Sequence, residues 1–178
     1  IALIAAQEYP VMNKIILPGF IEGAKTVDKD IEVIFKIVGN WYDANKGAEI
    51  SRSLYNEGVD VILPICGGAS QGVIATAKEL GFYISWFDNN GFSKAPGYII
   101  SSSAMEQEKM AYEVATKYFE GKIDFGTATT VDIKDGYITL ITDDDNFKNY
   151  FSDSYKENLI DEYNKIKEGI IILESPEV

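Results

Sequence analysis

The chain has 178 residues, 46% hydrophobic and 25% charged, values ordinary for one globular domain with a sizeable core. Its formal net charge of −12 argues against a nucleic-acid partner, because phosphate binding needs a basic face and no Lys/Arg cluster supplies one. Histidine is absent, which removes the commonest general base and metal ligand, and Cys66 is the single cysteine, so no internal disulfide or thiolate cluster exists.

The chain begins IALIAA, without Met and already strand-like, so residues upstream of it are expected. No charged segment marks this start as a signal peptide, and no apolar run is long enough to span a membrane. Short apolar runs at 1–6, 31–38, 59–66, 82–87 and 98–103 predict strands. Helices are predicted between most of them. The first covers 11–27, irregular near Pro18 and Gly19. The second covers 44–57, with Asp43 as N-cap and Gly58 just past its end. The third covers 71–80, stopped by Gly81. This alternation indicates βαβ units and an α/β fold with a parallel sheet.

After residue 104 the pattern changes. A helix is predicted over 105–120, with Ala111, Val114, Ala115 and Tyr118 on one face and Gly121 as its stop. Residues 129–141 read as a hairpin turning at Asp135-Gly136. A helix over 147–168 carries Phe151, Tyr155, Leu159, Tyr163 and Ile166 at helical spacing, and IIIL (170–173) reads as a final strand. Residues 143–146 (DDDN) lack the glycine and distal Glu of an EF-hand, so a solvated acidic turn is expected rather than a metal site.

GASQG (68–72) fits the serine nucleophile pattern G-x-S-x-G between a strand and a helix. That chemistry needs a base, and the chain has no His. Lys78 lies about two turns along the helix, pointing away. Ser70 is therefore expected to cap the helix rather than to attack a substrate. The Gly67-Gly68 turn lacks the Lys-Ser/Thr of a phosphate-binding loop, but backbone amides at a helix start can still meet a polar ligand.

In an open parallel sheet, ligands bind beyond the carboxyl ends of the strands. There the sequence places Gly39–Asp43, Gly67-Gly68, Asp88-Asn89-Asn90 and Ala104-Met105. Trp41 could stack on a flat ring or merely pack over a loop. Asp88 could accept bonds from two hydroxyls or cap a turn. At least one of Trp86 and Phe87 is expected in the core. An enzyme at this edge would need a second carboxylate beside Asp88, for which Asp43 is the candidate.

GNWYDANKG (39–47), GVDVILPICGGASQGV (58–73), ISWFDNN (84–90) and PGYIISSSA (96–104) together resemble the basic membrane protein family, with FIEGAKTVDKDIEVIF (20–35) in support. These are substrate-binding lipoproteins of ABC transporters, purine nucleoside receptors among them. The resemblance implies a type I periplasmic-binding-protein fold. Residues 1–120 would form the C-terminal ligand-binding lobe, and 121–178 a hairpin, helix and strand returning toward the hinge. The N-terminal lobe would lie outside the chain. It further implies that Trp41 stacks on the base, that Gly67 and Gly68 line the pocket, and that Asp88 binds ribose hydroxyls. Two positions depart from the pattern: Met105 stands where those receptors carry Lys, and Asn90 where a second Asp is frequent. The departures leave room for another heteroaromatic solute, such as riboflavin. By the same resemblance the protein would be extracytoplasmic and would hand its ligand to an ABC permease. It would lack catalysis, cofactor and metal, and would meet the membrane only through a lipid anchor outside this chain. A ligand-sensing regulatory lobe of the same fold is the alternative.

Overall fold

The computed structural model describes residues 1–172. Six strands form one mixed sheet in the order β2-β1-β3-β4-β5-β6. They are β1 (Ala2–Ala5), β2 (Ile34–Ile37), β3 (Val61–Ile65), β4 (Tyr83–Trp86), β5 (Ile99–Met105) and β6 (Ile138–Leu140). The first five are parallel, and β6 runs antiparallel to β5. β1 lies between β2 and β3, and all four of its residues are buried, as an unbroken apolar run in a two-sided parallel sheet should be.

Helices cover both faces. On one face Leu3, Ala5, Met12 and Ile65 form a core with Ile16, Leu17 and Phe20 packed against it. Those three belong to helix α1 (Leu17–Val27) and to the π-wound turn Met12–Ile16 before it. On the other face Ala2, Ile4 and Ile62 pack with Leu54 of α2 (Ala44–Asn56) and Val73, Ile74 and Ala77 of α3 (Ser70–Leu80). The helical segment predicted over 11–27 starts irregularly, but at the π-turn Met12–Ile16 and not at Pro18 and Gly19, which lie within α1 itself. α2 starts where Asp43 Oδ1 accepts the Lys46 amide at 2.9 Å, and α3 stops at Gly81, whose φ is 91°.

α2 and α3 approach backbone to backbone. A Cβ on Gly72 would overlap the Ala44 carbonyl and come within 2.7 Å of the Ala48 amide, and one on Gly47 would overlap the Ala69 carbonyl. Both glycines are therefore required by space, not by dihedral angle.

Beyond residue 104 the chain departs from expectation in three places. β5 runs on to Met105 because β6 pairs with Ser103–Met105 at the sheet edge. The predicted hairpin is absent. The turn at Asp135-Gly136 forms, with Tyr137 N–H donating to the Asp132 carbonyl at 3.1 Å, but only its second arm is a strand. An isolated two-stranded hairpin is marginal in water, whereas three residues added to an existing sheet gain partners at once. The long terminal helix is broken into α5 (Asp145–Tyr150) and α6 (Asp153–Lys167). Phe151 is extended, and Ser152 restarts the helix by accepting the Tyr155 amide at 3.3 Å. The break lets Phe147 bury among Phe92 and Phe151. Residues 143–146 form the acidic start of α5, where Asp144 accepts the Asn146 amide at 2.8 Å and Asp143 pairs with Lys148. No acidic or thiol cluster among the described residues could hold a metal. Residues 170–172 form no strand, and Leu173 lies outside the described residues.

α4 (Gln107–Phe119) forms where a helix was expected, but its predicted apolar face is open: Ala111, Val114, Ala115 and Tyr118 are all exposed.

Gly72→Ala is expected to destabilise the fold by about 1–3 kcal/mol or more, since backbone rather than a mobile side chain must yield. Gly23→Ala, in α1 with nothing within 4 Å of the added carbon, should be neutral or stabilise by about 0.5–1 kcal/mol. Urea unfolding of the two variants checks both.

Candidate functional site

The carboxyl ends of β2, β3 and β4 converge on a hollow of about 140 Å³. Trp41, Pro64, Ile65, Cys66, Gly67, Ser70, Trp86, Phe87 and Asp88 line it. Larger hollows exist beside α4, around Met110, Val114 and Phe125, and between α6 and the serines of β4 and β5. Neither combines aromatic faces, bare backbone and a carboxylate at the strand ends.

The loop after β2 is built by Asn40, whose Oδ1 accepts the amides of Tyr42 at 3.0 Å and Asp43 at 2.8 Å. This turn presents Trp41 over the Gly67 turn, 42% exposed, with Tyr9 beside it at a ring-centroid distance of 6.1 Å. Gly67 has φ 57°, and a Cβ there would sit 2.9 Å from the Trp41 carbonyl and 3.3 Å from its ring. The Ala69 amide donates to that carbonyl at 3.4 Å. Gly67 thus sets the height of the indole above the turn.

Ser70 does not cap α3. Ala69 occupies the cap position and a short 3₁₀ turn, Gly67–Ala69, leads directly into the helix. The buried Ser70 hydroxyl instead meets Cys66 Sγ at 3.3 Å. Burial pushes the Cys66 thiol up, against the smaller opposing effect of the Ser70 hydrogen bond, so this sulfur is held as thiol rather than thiolate.

Asp88 is the sole non-glycine residue with positive φ among the described residues, at 86°. Its carbonyl accepts the Met105 amide at 3.2 Å, and its Oδ1 lies 3.4 Å from Gln107 Nε2. Such a conformation is sparsely populated away from glycine and persists where the surroundings impose it, often at a functional position. Here β5 imposes it. Asp88 is exposed and lines the hollow, and its carboxylate is lightly engaged.

The six residues singled out from sequence therefore separate. Trp41, Gly67 and Asp88 line the hollow; Gly68, Asn90 and Met105 do not. Gly68 lies under Tyr42. Met105, 39% exposed, touches the site through its backbone bond to Asp88. Asn90 Nδ2 donates to Asp144 Oδ2 at 2.8 Å, the bond that chiefly holds Asp144 below the usual carboxylate range, and Asn90 Oδ1 accepts the Phe92 amide. Asp43 is turned to the α2 cap, away from any pairing with Asp88. Trp86 reaches both the core and the hollow, its indole N–H donating to Asn89 at 3.2 Å. Sequence reasoning missed Tyr9, Cys66 and Gln107. Tyr9 follows β1, so the strand-end rule extended to the first strand would have found it.

The family model for PnrA-like ABC transporter substrate-binding proteins matches residues 1–176. The chain belongs to this Bmp family. Basic membrane protein D of Borreliella burgdorferi is 31% identical over 144 residues, covering 79% of this chain and 42% of that protein. The ABC transporter nucleoside-binding protein BmpA of Lactococcus lactis is 28% identical over 140 residues, covering 68% of the chain and 40% of that protein. The chain thus spans about two fifths of these Bmp relatives. Among solved structures, a transcriptional activator of the comK gene from Bacillus halodurans superposes with a TM-score of 0.80 at 24% identity. The match covers 97% of this chain and 57% of that one. An ABC transporter solute-binding protein from Aeropyrum pernix gives 0.81 at 16% identity, over 99% and 58%. The fold is that of the solute-binding proteins. Among the described residues of this Bmp chain no helix is long and apolar enough to cross a membrane.

Asp88→Gly is expected to raise stability by about 1 kcal/mol by releasing the left-handed strain, whereas Asp88→Ala, which keeps the strain, should not; denaturant midpoints decide. Asn90→Asp sets a second carboxylate against Asp144. The wild-type Asp144 contribution is present at neutral pH and lost as pH falls through its lowered folded value. The variant pair reverses this, binding protons more tightly when folded. Its deficit, about 0.5–1 kcal/mol at this surface site, should be full at pH 7 and shrink as pH falls through about 4. Asp144→Asn in the same chain should restore stability at pH 7.

Proposed function

We propose that this chain forms one ligand-binding lobe of an extracytoplasmic solute-binding protein. The protein takes a purine nucleoside-like solute, or another heteroaromatic such as riboflavin, without catalysis, and delivers it to an ABC permease. The observation that carries this reading is the meeting of Trp41, Gly67 and Asp88 at one hollow. A ring stacks on the exposed indole, its edge approaches backbone at the Gly67 turn, and the Asp88 carboxylate accepts hydroxyl hydrogens. The nucleoside-binding BmpA from Lactococcus adds support through its likeness to this chain.

A hydrolytic or acid–base role finds less support. Ser70 is buried with its hydroxyl against Cys66 Sγ, and Asp43 serves a helix cap. Binding would use closure of two rigid bodies about a hinge, with a lipid anchor outside this chain holding the protein at the membrane.

The test is thermal unfolding of the full-length protein with nucleosides, free bases and flavins. A ligand at about 100 times its Kd should add about 2.7 kcal/mol and raise Tm by several degrees. Trp41→Ala should weaken that ligand by about 1–3 kcal/mol, roughly five- to 150-fold in Kd. No shift from any compound in the panel sinks the proposal.

A further inference from the structure

We infer that this site prefers a solute whose ring system carries positive charge, such as an N-alkylated purine nucleoside, over its neutral or phosphorylated counterparts. The inference rests on the heteroaromatic-solute reading above. Residues 6–11, 38–43, 66–69, 87–91 and 106 connect the five parallel strands to the elements that follow them. They carry Glu8, Asp43, Asp88 and Glu106, and neither Lys nor Arg. Asp43 is spent on the α2 cap and Glu106 on the Thr139 hydroxyl, and Glu8 accepts from Asn13 at 3.1 Å. Asp88 remains as the carboxylate that lines the hollow, met among the described residues by Gln107 at 3.4 Å.

The aromatic walls are Trp41, with Tyr9 beside it, Trp86 and Phe87, and Pro64, Ile65, Cys66, Gly67 and Ser70 complete the lining. A ring face attracts cations through its quadrupole, most strongly for indole. This chain already uses that attraction, since Lys94 stands 5.3 Å from the Trp86 ring centre. Lys94 itself is not among the residues lining the hollow. A cationic ring on Trp41 therefore gains twice, from the indole face and from the Asp88 carboxylate. A phosphate at the same place meets the Asp88 carboxylate, with no Lys or Arg among the residues lining the hollow, on a chain of net charge −12.

Adenosine, N6-methyladenosine, its cationic isomer N1-methyladenosine, and adenosine 5′-monophosphate form a charge series on one scaffold. The two methyl isomers share composition and differ in charge at pH 7. Calorimetric titration of the full-length protein at low salt should show the cationic isomer binding at least about tenfold tighter than either neutral nucleoside, and the monophosphate weakest. The preference should narrow at about 0.5 M salt. Asp88→Asn should reduce it to about twofold, and this variant should fold, because Asn tolerates a left-handed backbone better than most residues. Equal or weaker binding of the cation, with the neutral nucleosides still bound, overturns the inference and leaves the heteroaromatic-solute reading standing. Silence from all four compounds overturns the inference, while the heteroaromatic-solute reading falls only if the free bases and flavins of the wider panel are silent as well. A cation preference that survives Asp88→Asn overturns the assignment to this carboxylate.

Discussion

Two neighbouring βα connections pack backbone against backbone, and the candidate site depends on that contact. The loop after β2 lies on the turn after β3 because Gly67 offers no Cβ beneath the Trp41 carbonyl and ring. The helices that follow extend the same closeness, Gly47 against Ala69 and Gly72 against Ala44. Dispersion across such a contact is individually weak and collectively large, and it tolerates no added atom. The three glycines thus act on one interface. Two hold α2 and α3 together, and the third converts that fixed spacing into a fixed height for an indole at the edge of the sheet.

Asp88 is controlled from the opposite side. The Met105 amide at the end of β5 holds its carbonyl, and Gln107, in the first turn of α4, approaches its carboxylate. The pairing of β6 with Ser103–Met105 fixes the strand end that supplies that amide. Tyr137 follows the same logic. Its hydroxyl donates to Glu113, and Lys109 reaches over its ring to the carbonyls of Asp135 and Gly136. The segment between α4 and β6 is thereby pinned to α4, and the register of β6 is transmitted to the Asp88 backbone. The strain in Asp88 is sustained by long-range sheet pairing, not by its local sequence.

That division explains what could be read from sequence. β1 to β5 and α1 to α3 follow from local period and punctuation, and Asp43 and Gly81 act as a cap and a stop because those effects are local. Trp41, Gly67 and Asp88 could be placed at one edge because strand ends in a parallel sheet share it. The errors lie where a partner far along the chain decides the outcome. A three-residue strand chose β5 over its own hairpin partner. Phe147 gained burial by breaking the terminal helix, at a serine whose capping role competes locally with helical spacing. Ser70 preferred a buried contact with Cys66 to a cap because Gly67–Ala69 had already begun the helix. The Asn90 side chain is likewise engaged from afar, by Asp144, 54 residues along the chain, a contact its local sequence does not announce.

The size of the hollow completes the physical picture. About 140 Å³ is well below the roughly 300–1,000 Å³ of pockets that enclose small molecules. Trp41 keeps one side open to solvent, and Asp88 is exposed. A ligand here would rest on a stacking face, a backbone edge and a carboxylate while much of its surface remained uncovered. Tight binding requires the rest of that surface to be buried and the Asp88 charge to be screened from water, because exposed charge interactions are weak. Under the proposed function an edge of this kind would be half of a clamp, and its affinity would come from whatever closes over it. Under the proposed two-lobe arrangement, closure strengthens the aromatic and carboxylate contacts together, so ligand recognition and lobe closure become one equilibrium.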